Sequence, residues 1–141
     1  MTYTDHIEPD RGPLNKKILV AGLLSLLGMV IHAVVGGDEV RIPLDQSDLS
    51  VLIRSVSNVV WFFTTGILTI NGIALIIAAF HMKYRIPLIL MVCSQYLVLS
   101  VLFIGYGMFQ MDNPADLPQW VLFVVIMILA LLGLRDKPRK M

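Results

Sequence analysis

The sequence predicts an all-α protein, a four-transmembrane-helix bundle, and three observations carry that prediction. First, 57% of the 141 residues are hydrophobic and only 15% are charged, where a soluble domain averages ~45–50% apolar and ~25% charged. Second, the apolar excess is gathered into four runs nearly free of charge, each close to the ~20 residues that cross ~30 Å of hydrocarbon as a helix. Third, none of these runs alternates apolar and polar residues as the strands of a membrane β-barrel do. Backbone groups in lipid must be satisfied within the segment, which leaves the helix.

The whole chain, 1–141, reads as one integral membrane domain, with spans expected at about 18–36, 55–80, 86–111 and 117–134. Gly36-Gly37 is expected to close the first span. Ahead of the second, Leu49, Leu52 and Ile53 recur at helical spacing behind Asp45 and Ser47, either of which can cap. That helix is therefore able to begin early, as an amphipathic extension on the outer surface. Tyr84-Arg85-Ile86-Pro87 predicts a tight turn before the third span, and 112–118, with Pro114 and Pro118, separates the third from the fourth. Trp120 then stands where an interfacial aromatic anchor belongs. The first run exceeds the ~7–15-residue apolar core of a cleaved signal and lacks a small-residue cleavage site.

Charge sets the orientation. Nine of the eleven basic residues lie on one side: Arg11, Lys16, Lys17, Lys83, Arg85, Arg135, Lys137, Arg139 and Lys140. The other side holds Arg41 and Arg54 with Asp38, Glu39, Asp45, Asp48, Asp112 and Asp116. The positive-inside rule places both termini in the cytoplasm of a bacterial inner membrane. No basic patch is interleaved with aromatics, so nucleic acid is not an expected partner; the expected partners are the lipid bilayer and copies or components of a larger membrane complex. The single cysteine, Cys93, excludes an internal disulfide and a CxxC pair.

Helical geometry sorts the polar residues. Ala21, Ser25, Gly28, His32 and Gly36 share one face of the first span, a stripe of small residues that lets helices approach closely in lipid. Asn58, Trp61, Thr65, Thr69 and Gly72 form a similar stripe on the second, and Gln95, Tyr106 and Gln110 line up on the third. Depth at ~1.5 Å per residue groups His32, Asn58, Trp61, Thr65, Tyr106 and Gln110 into an outer-leaflet layer, the candidate ligand-binding pocket. Ser25, Asn71 and Gln95 form a deeper layer of interhelical polar packing. The fourth span has no polar side chain from Val121 to Leu132.

His32 is the one ionisable histidine, lysine, arginine or carboxylate well inside a span, and such residues are functional candidates by default. Its chemistry is bounded by its neighbours. His81 lies ~20 Å away in depth, which excludes an intramolecular bis-histidine haem. Asp38 and Glu39 stand beyond the Gly-Gly pair at a spacing that fits no standard metal site. No nucleophile–base pair or paired carboxylates are visible, so no catalytic residues, no metal and no cofactor are assigned. Two functional readings remain: a non-enzymatic membrane component, accessory to an assembly, or a small transporter or ligand- or quinone-binding protein using the pocket around His32.

The combination of His32 and Gly36-Gly37 in span one, Trp61 in span two, and Leu117-Pro118-Gln119-Trp120 with Leu131-Leu132-Gly133 in span four resembles small four-span bacterial inner-membrane proteins. In size and span count alone the chain is also similar to the DoxX-like group, whose signature residues it lacks. The resemblance implies a four-helix membrane fold and no activity.

Overall fold

The computed structural model describes residues 13–136; Arg11, Lys137, Arg139 and Lys140 of the basic count, and His6, lie outside the described residues. The fold is an all-α bundle of four helices: α1 (Lys16–Asp45), α2 (Val51–Phe80), α3 (Met82–Gln110) and α4 (Gln119–Leu134). The first three are long and apolar enough to cross a membrane, while α4, at 16 residues, is a shorter apolar helix. Each helix packs on two others in a closed ring, α1 on α2 and α4, and α3 on α2 and α4. Successive helices run antiparallel, so the described chain begins and ends at the same end of the bundle, here the terminal end; the opposite one is the loop end.

Boundaries depart from the sequence pattern in four places. Gly36-Gly37 does not close α1. Gly36 (φ −64°, ψ −28°) and Gly37 (φ −59°, ψ −46°) are both right-handed helical, and the chain continues through a π-helical stretch, Gly37–Arg41, to Asp45. Glycine terminates a helix by adopting positive φ, and no described glycine does so. Gly36 instead serves close approach: a Cβ there would stand 2.9 Å from Trp61 Cη2.

Second, α2 starts at Val51, ahead of the span at 55 as the early extension allows, but with a different cap from either expected one. Its cap is Ser50, whose Oγ accepts from Ile53 N–H at 3.4 Å. Asp45 is consumed as the last residue of α1, and Ser47 Oγ donates to the Leu44 carbonyl at 2.6 Å. Third, the turn between α2 and α3 is the single extended residue His81 (φ −120°, ψ 107°), and Tyr84-Arg85-Ile86-Pro87 lies inside α3. Pro87 lies inside α3, which continues through it although the backbone bond to the Lys83 carbonyl is given up. Fourth, α4 begins at Gln119 instead of 117, after a 3₁₀ turn at Pro114–Asp116.

The core is one-ended. In α2 the buried residues are Leu68, Asn71, Gly72, Ala74, Leu75, Ala78 and Ala79, and none falls in positions 51–67. In α1 they run from Ile18 to Gly28, with Gly37 the single buried residue beyond. Against them pack Ile89, Val92 and Tyr96 of α3 and Phe123, Ile126 and Ala130 of α4. Two glycines draw α1 and α2 together here: a Cβ on Gly72 would lie 2.6 Å from Leu26 Cδ2, and one on Gly22 would lie 3.1 Å from the Gly72 carbonyl. Lipid tails are as apolar as leucine, so such backbone approach supplies the packing that holds helices together in a bilayer.

Candidate functional site

The polar side chains of the bundle fall into two groups at different heights. Nearer the loop end, the His32 ring stacks on the Trp61 indole with centroids 4.0 Å apart and planes 19° from parallel. The absence of a side chain at Gly36, one turn along, gives the indole room to lie against α1. His32 Nε2 is 3.4 Å from the Trp61 carbonyl, and Thr65 Oγ1 donates to the same carbonyl at 3.0 Å. His32, Trp61 and Thr65 therefore meet in one contact, which a stacked aromatic pair strengthens by ~0.5–1.5 kcal/mol beyond area burial.

Asn58, one turn from Trp61, turns toward the loop end. Its Nδ2 donates to Asp45 Oδ1 at 2.5 Å and to the Arg54 carbonyl at 3.1 Å. Asp45 also pairs with Arg41 at 3.3 Å, and Arg54 Nη1 donates to the Asp45 carbonyl at 2.7 Å. This Arg41–Asp45–Arg54–Asn58 network was not foreseen; its signal is the i,i+4 spacing of Arg41 with Asp45 and of Arg54 with Asn58. Arg54 Nε and Asn58 Oδ1 are shielded from solvent and have no partner among the described residues.

Tyr106 and Gln110 are not brought to His32. Both are exposed, Tyr106 by 63%, and they line an open groove on the outward side of α3 with Val101, Leu102, Gly105 and Phe109. The inward face of α3 is instead Arg85, Ile89, Val92, Tyr96, Ser100 and Gly107. Grouping α3 by its polar residues gives the wrong face, because an aromatic hydroxyl or a terminal amide near the membrane–water interface finds partners outside the bundle.

In the middle of the bundle Asn71 Nδ2 donates to Gln95 Oε1 at 3.3 Å, so these two members of the deeper layer meet. Ser25 goes elsewhere: its Oγ donates to the Leu68 carbonyl at 3.2 Å and shares a hydrogen bond with the hydroxyl of Tyr96. Tyr96, fully buried and stacked on Phe123 at 5.1 Å, is the residue the sequence reading missed. Ser100 Oγ donates to its carbonyl at 2.7 Å. Among the described residues no three His, Cys, Asp or Glu side chains gather as metal ligands. Trp120 Nε1 donates to the Pro114 carbonyl at 3.1 Å, tying α4 to the 3₁₀ turn.

No family model matches the chain, and neither the curated proteins nor the solved structures include a match to it.

Proposed function

We propose that the protein is a non-enzymatic integral membrane component that crosses a bacterial inner membrane four times, with both termini cytoplasmic, and serves as an accessory or assembly partner in an oligomer or larger membrane complex. One observation carries this reading: the mid-bundle polar side chains bond to one another and to the backbone, as in Ser25–Tyr96–Leu68 and Asn71 Nδ2–Gln95 Oε1, with Asn71 Oδ1 alone among them left without a partner among the described residues. That arrangement builds a filled interior and leaves the lipid-facing helix surfaces as the working part of the molecule. The test is native mass in mild detergent together with an absorption spectrum. A mass above one chain without a chromophore is expected; a monomer carrying a pigment or quinone overturns the reading. A reporter fused to the C-terminus is expected to face the cytoplasm, and an external one removes the orientation.

A second reading, a ligand- or quinone-binding protein with its pocket around His32, draws support from the unpartnered Arg54 Nε and Asn58 Oδ1. Titration with a soluble quinone would then quench Trp61 fluorescence in the wild type and not in Trp61→Phe. An unchanged emission across the titration rules this reading out.

A further inference from the structure

The terminal end of the bundle is a junction of four helix termini. Asn15 N–H donates to the Ala79 carbonyl at 3.0 Å, and its Nδ2 donates to the Gly133 carbonyl at 2.8 Å. Arg85 Nε donates to the Ala78 carbonyl at 3.0 Å, and its Nη2 to the carbonyls of Ala79 at 3.2 Å and Pro13 at 3.4 Å. Lys17 pairs with Asp136 at 2.6 Å. The start of α1, the end of α2, the start of α3 and the end of α4 are thereby locked at one level.

That convergence gathers charge of one sign. Lys16, Lys17, Lys83, Arg85 and Arg135 stand here against Asp136 as the single carboxylate among the described residues. Outside the described residues the sequence holds Arg11, Lys137, Arg139 and Lys140 against Asp5, Glu8 and Asp10. Of the described cations at this end, Lys17 is the one in an ion pair; Lys16, Lys83 and Arg135 are exposed. Arg85 is only 8% exposed, yet among the described residues all its hydrogen-bond partners are carbonyl oxygens. A buried guanidinium without a counter-charge is costly to hold, and an anion lying over this end relieves it. Exposed Leu14, Met82 and Tyr84 flank the cations, with the Lys83 ammonium 5.6 Å from the Tyr84 ring. Apolar and aromatic side chains beside cations, at the ends of membrane-length helices, match the boundary between acyl chains and headgroups.

We propose that this end is a binding surface for anionic phospholipid headgroups, with Lys16, Lys83 and Arg135 as the contacting cations and Arg85 as a fixed buried charge behind them. The occupant is a lipid and not a free phosphate, because the cations are rimmed by Leu14, Met82 and Tyr84.

The experiment is lipid retention by the full chain, extracted from bilayers of mixed phosphatidylglycerol and phosphatidylcholine and weighed by native mass spectrometry. The wild type is expected to keep phosphatidylglycerol selectively. Each of Lys16→Gln, Lys83→Gln and Arg135→Gln should lower that selectivity about fivefold, the equivalent of ~1 kcal/mol per basic residue near an anionic surface. Glu39→Gln, at the loop end, should leave it unchanged. In the wild type, which needs no variant to fold, selectivity should fall as ionic strength rises from ~0.01 M to ~1 M and the Debye length shrinks from ~30 Å to ~3 Å. Equal retention of the two lipids, selectivity surviving in the triple variant, or displacement by millimolar inorganic phosphate each overturns the proposal. Oligomeric state does not enter the readout, so a monomer that retains phosphatidylglycerol separates this proposal from the assembly reading.

Discussion

Tyr96 and Tyr106 stand on the same helix, one fully buried and one 63% exposed. Tyr96 continues the face Ile89, Val92, Tyr96, Ser100, whose spacing of three and four residues is the mark of a helix side turned inward. It is legible in the sequence as periodicity, but Gln95, Tyr106 and Gln110 line up with Leu99 and Leu102 on a competing face of the same helix. Its partnership with Ser25 was not legible, since nothing along the chain specifies which helix opposes which. Removing either hydroxyl, by Ser25→Ala or Tyr96→Phe, is expected to destabilise the bundle by ~0.6 kcal/mol and at most ~1.7 kcal/mol, the range of hydrogen bonds between helices in lipid. The double variant should cost less than the sum. Reversible unfolding in mixed detergent checks both. Arg85 is a larger case. As a sequence residue it counted as one more cation, whereas in the fold it caps the end of α2. Arg85→Met removes the side-chain donor from the Ala78 carbonyl, leaves Asn15 N–H as the donor to the Ala79 carbonyl, and is expected to cost ~1.5–3 kcal/mol, the usual worth of a hydrogen bond to a charged group. The same unfolding assay reads it.

Helix identity was legible from apolar run length, and helix ends were not. Gly36-Gly37, Tyr84-Arg85-Ile86-Pro87 and Ser47 all looked like punctuation, and each lies inside or beside a continuing helix. Local turn propensity is overridden where packing on a neighbouring helix rewards continuation. The π-helical stretch Gly37–Arg41 has its own consequence. A π-bulge accommodates one extra residue while the α-helix on either side keeps its phase. Deleting exposed Asp38 should therefore convert the stretch to plain α-helix, preserve the Asp45–Asn58 bond and leave thermal stability nearly unchanged. Deleting Ala33, within the regular helix, turns everything beyond it by ~100°. That change should abolish the His32–Trp61 stack or the Asp45 network, visible as altered Trp61 fluorescence. Gly72→Leu tests the α1–α2 contact: with Leu26 Cδ2 only 2.6 Å from the position of a new Cβ, the helices must separate. Overpacking of this kind costs ~1–3 kcal/mol, and a lowered unfolding midpoint is the measurement.

At the scale of the whole molecule, buried residues crowd the terminal half, and positions 51–67 of α2 contribute none. Membrane class and helix count follow from composition. This lopsided packing does not, because the apolar content is similar along each span and the inward turn of Leu68 to Ala79 depends on Gly22 and Gly72 meeting across helices. Local opening free energy tracks buried contact. Hydrogen exchange in a nanodisc should accordingly protect amides from Leu68 to Ala79 and from Ile89 to Ser100 most strongly. Amides from Val51 to Trp61 should exchange first, by at least tenfold. Uniform protection along α2 would contradict the one-ended core.

His81, finally, decides what kind of motion such a body can make. A single residue reaches ~3.6 Å at full extension, while sliding one helix past another by a turn requires ~5.4 Å. Piston-like displacement of α2 against α3 is therefore blocked at that joint. Because the joint lies at the tightly packed end, any change of shape must be a scissoring, with the terminal end as pivot and the loop end as the tips of the blades.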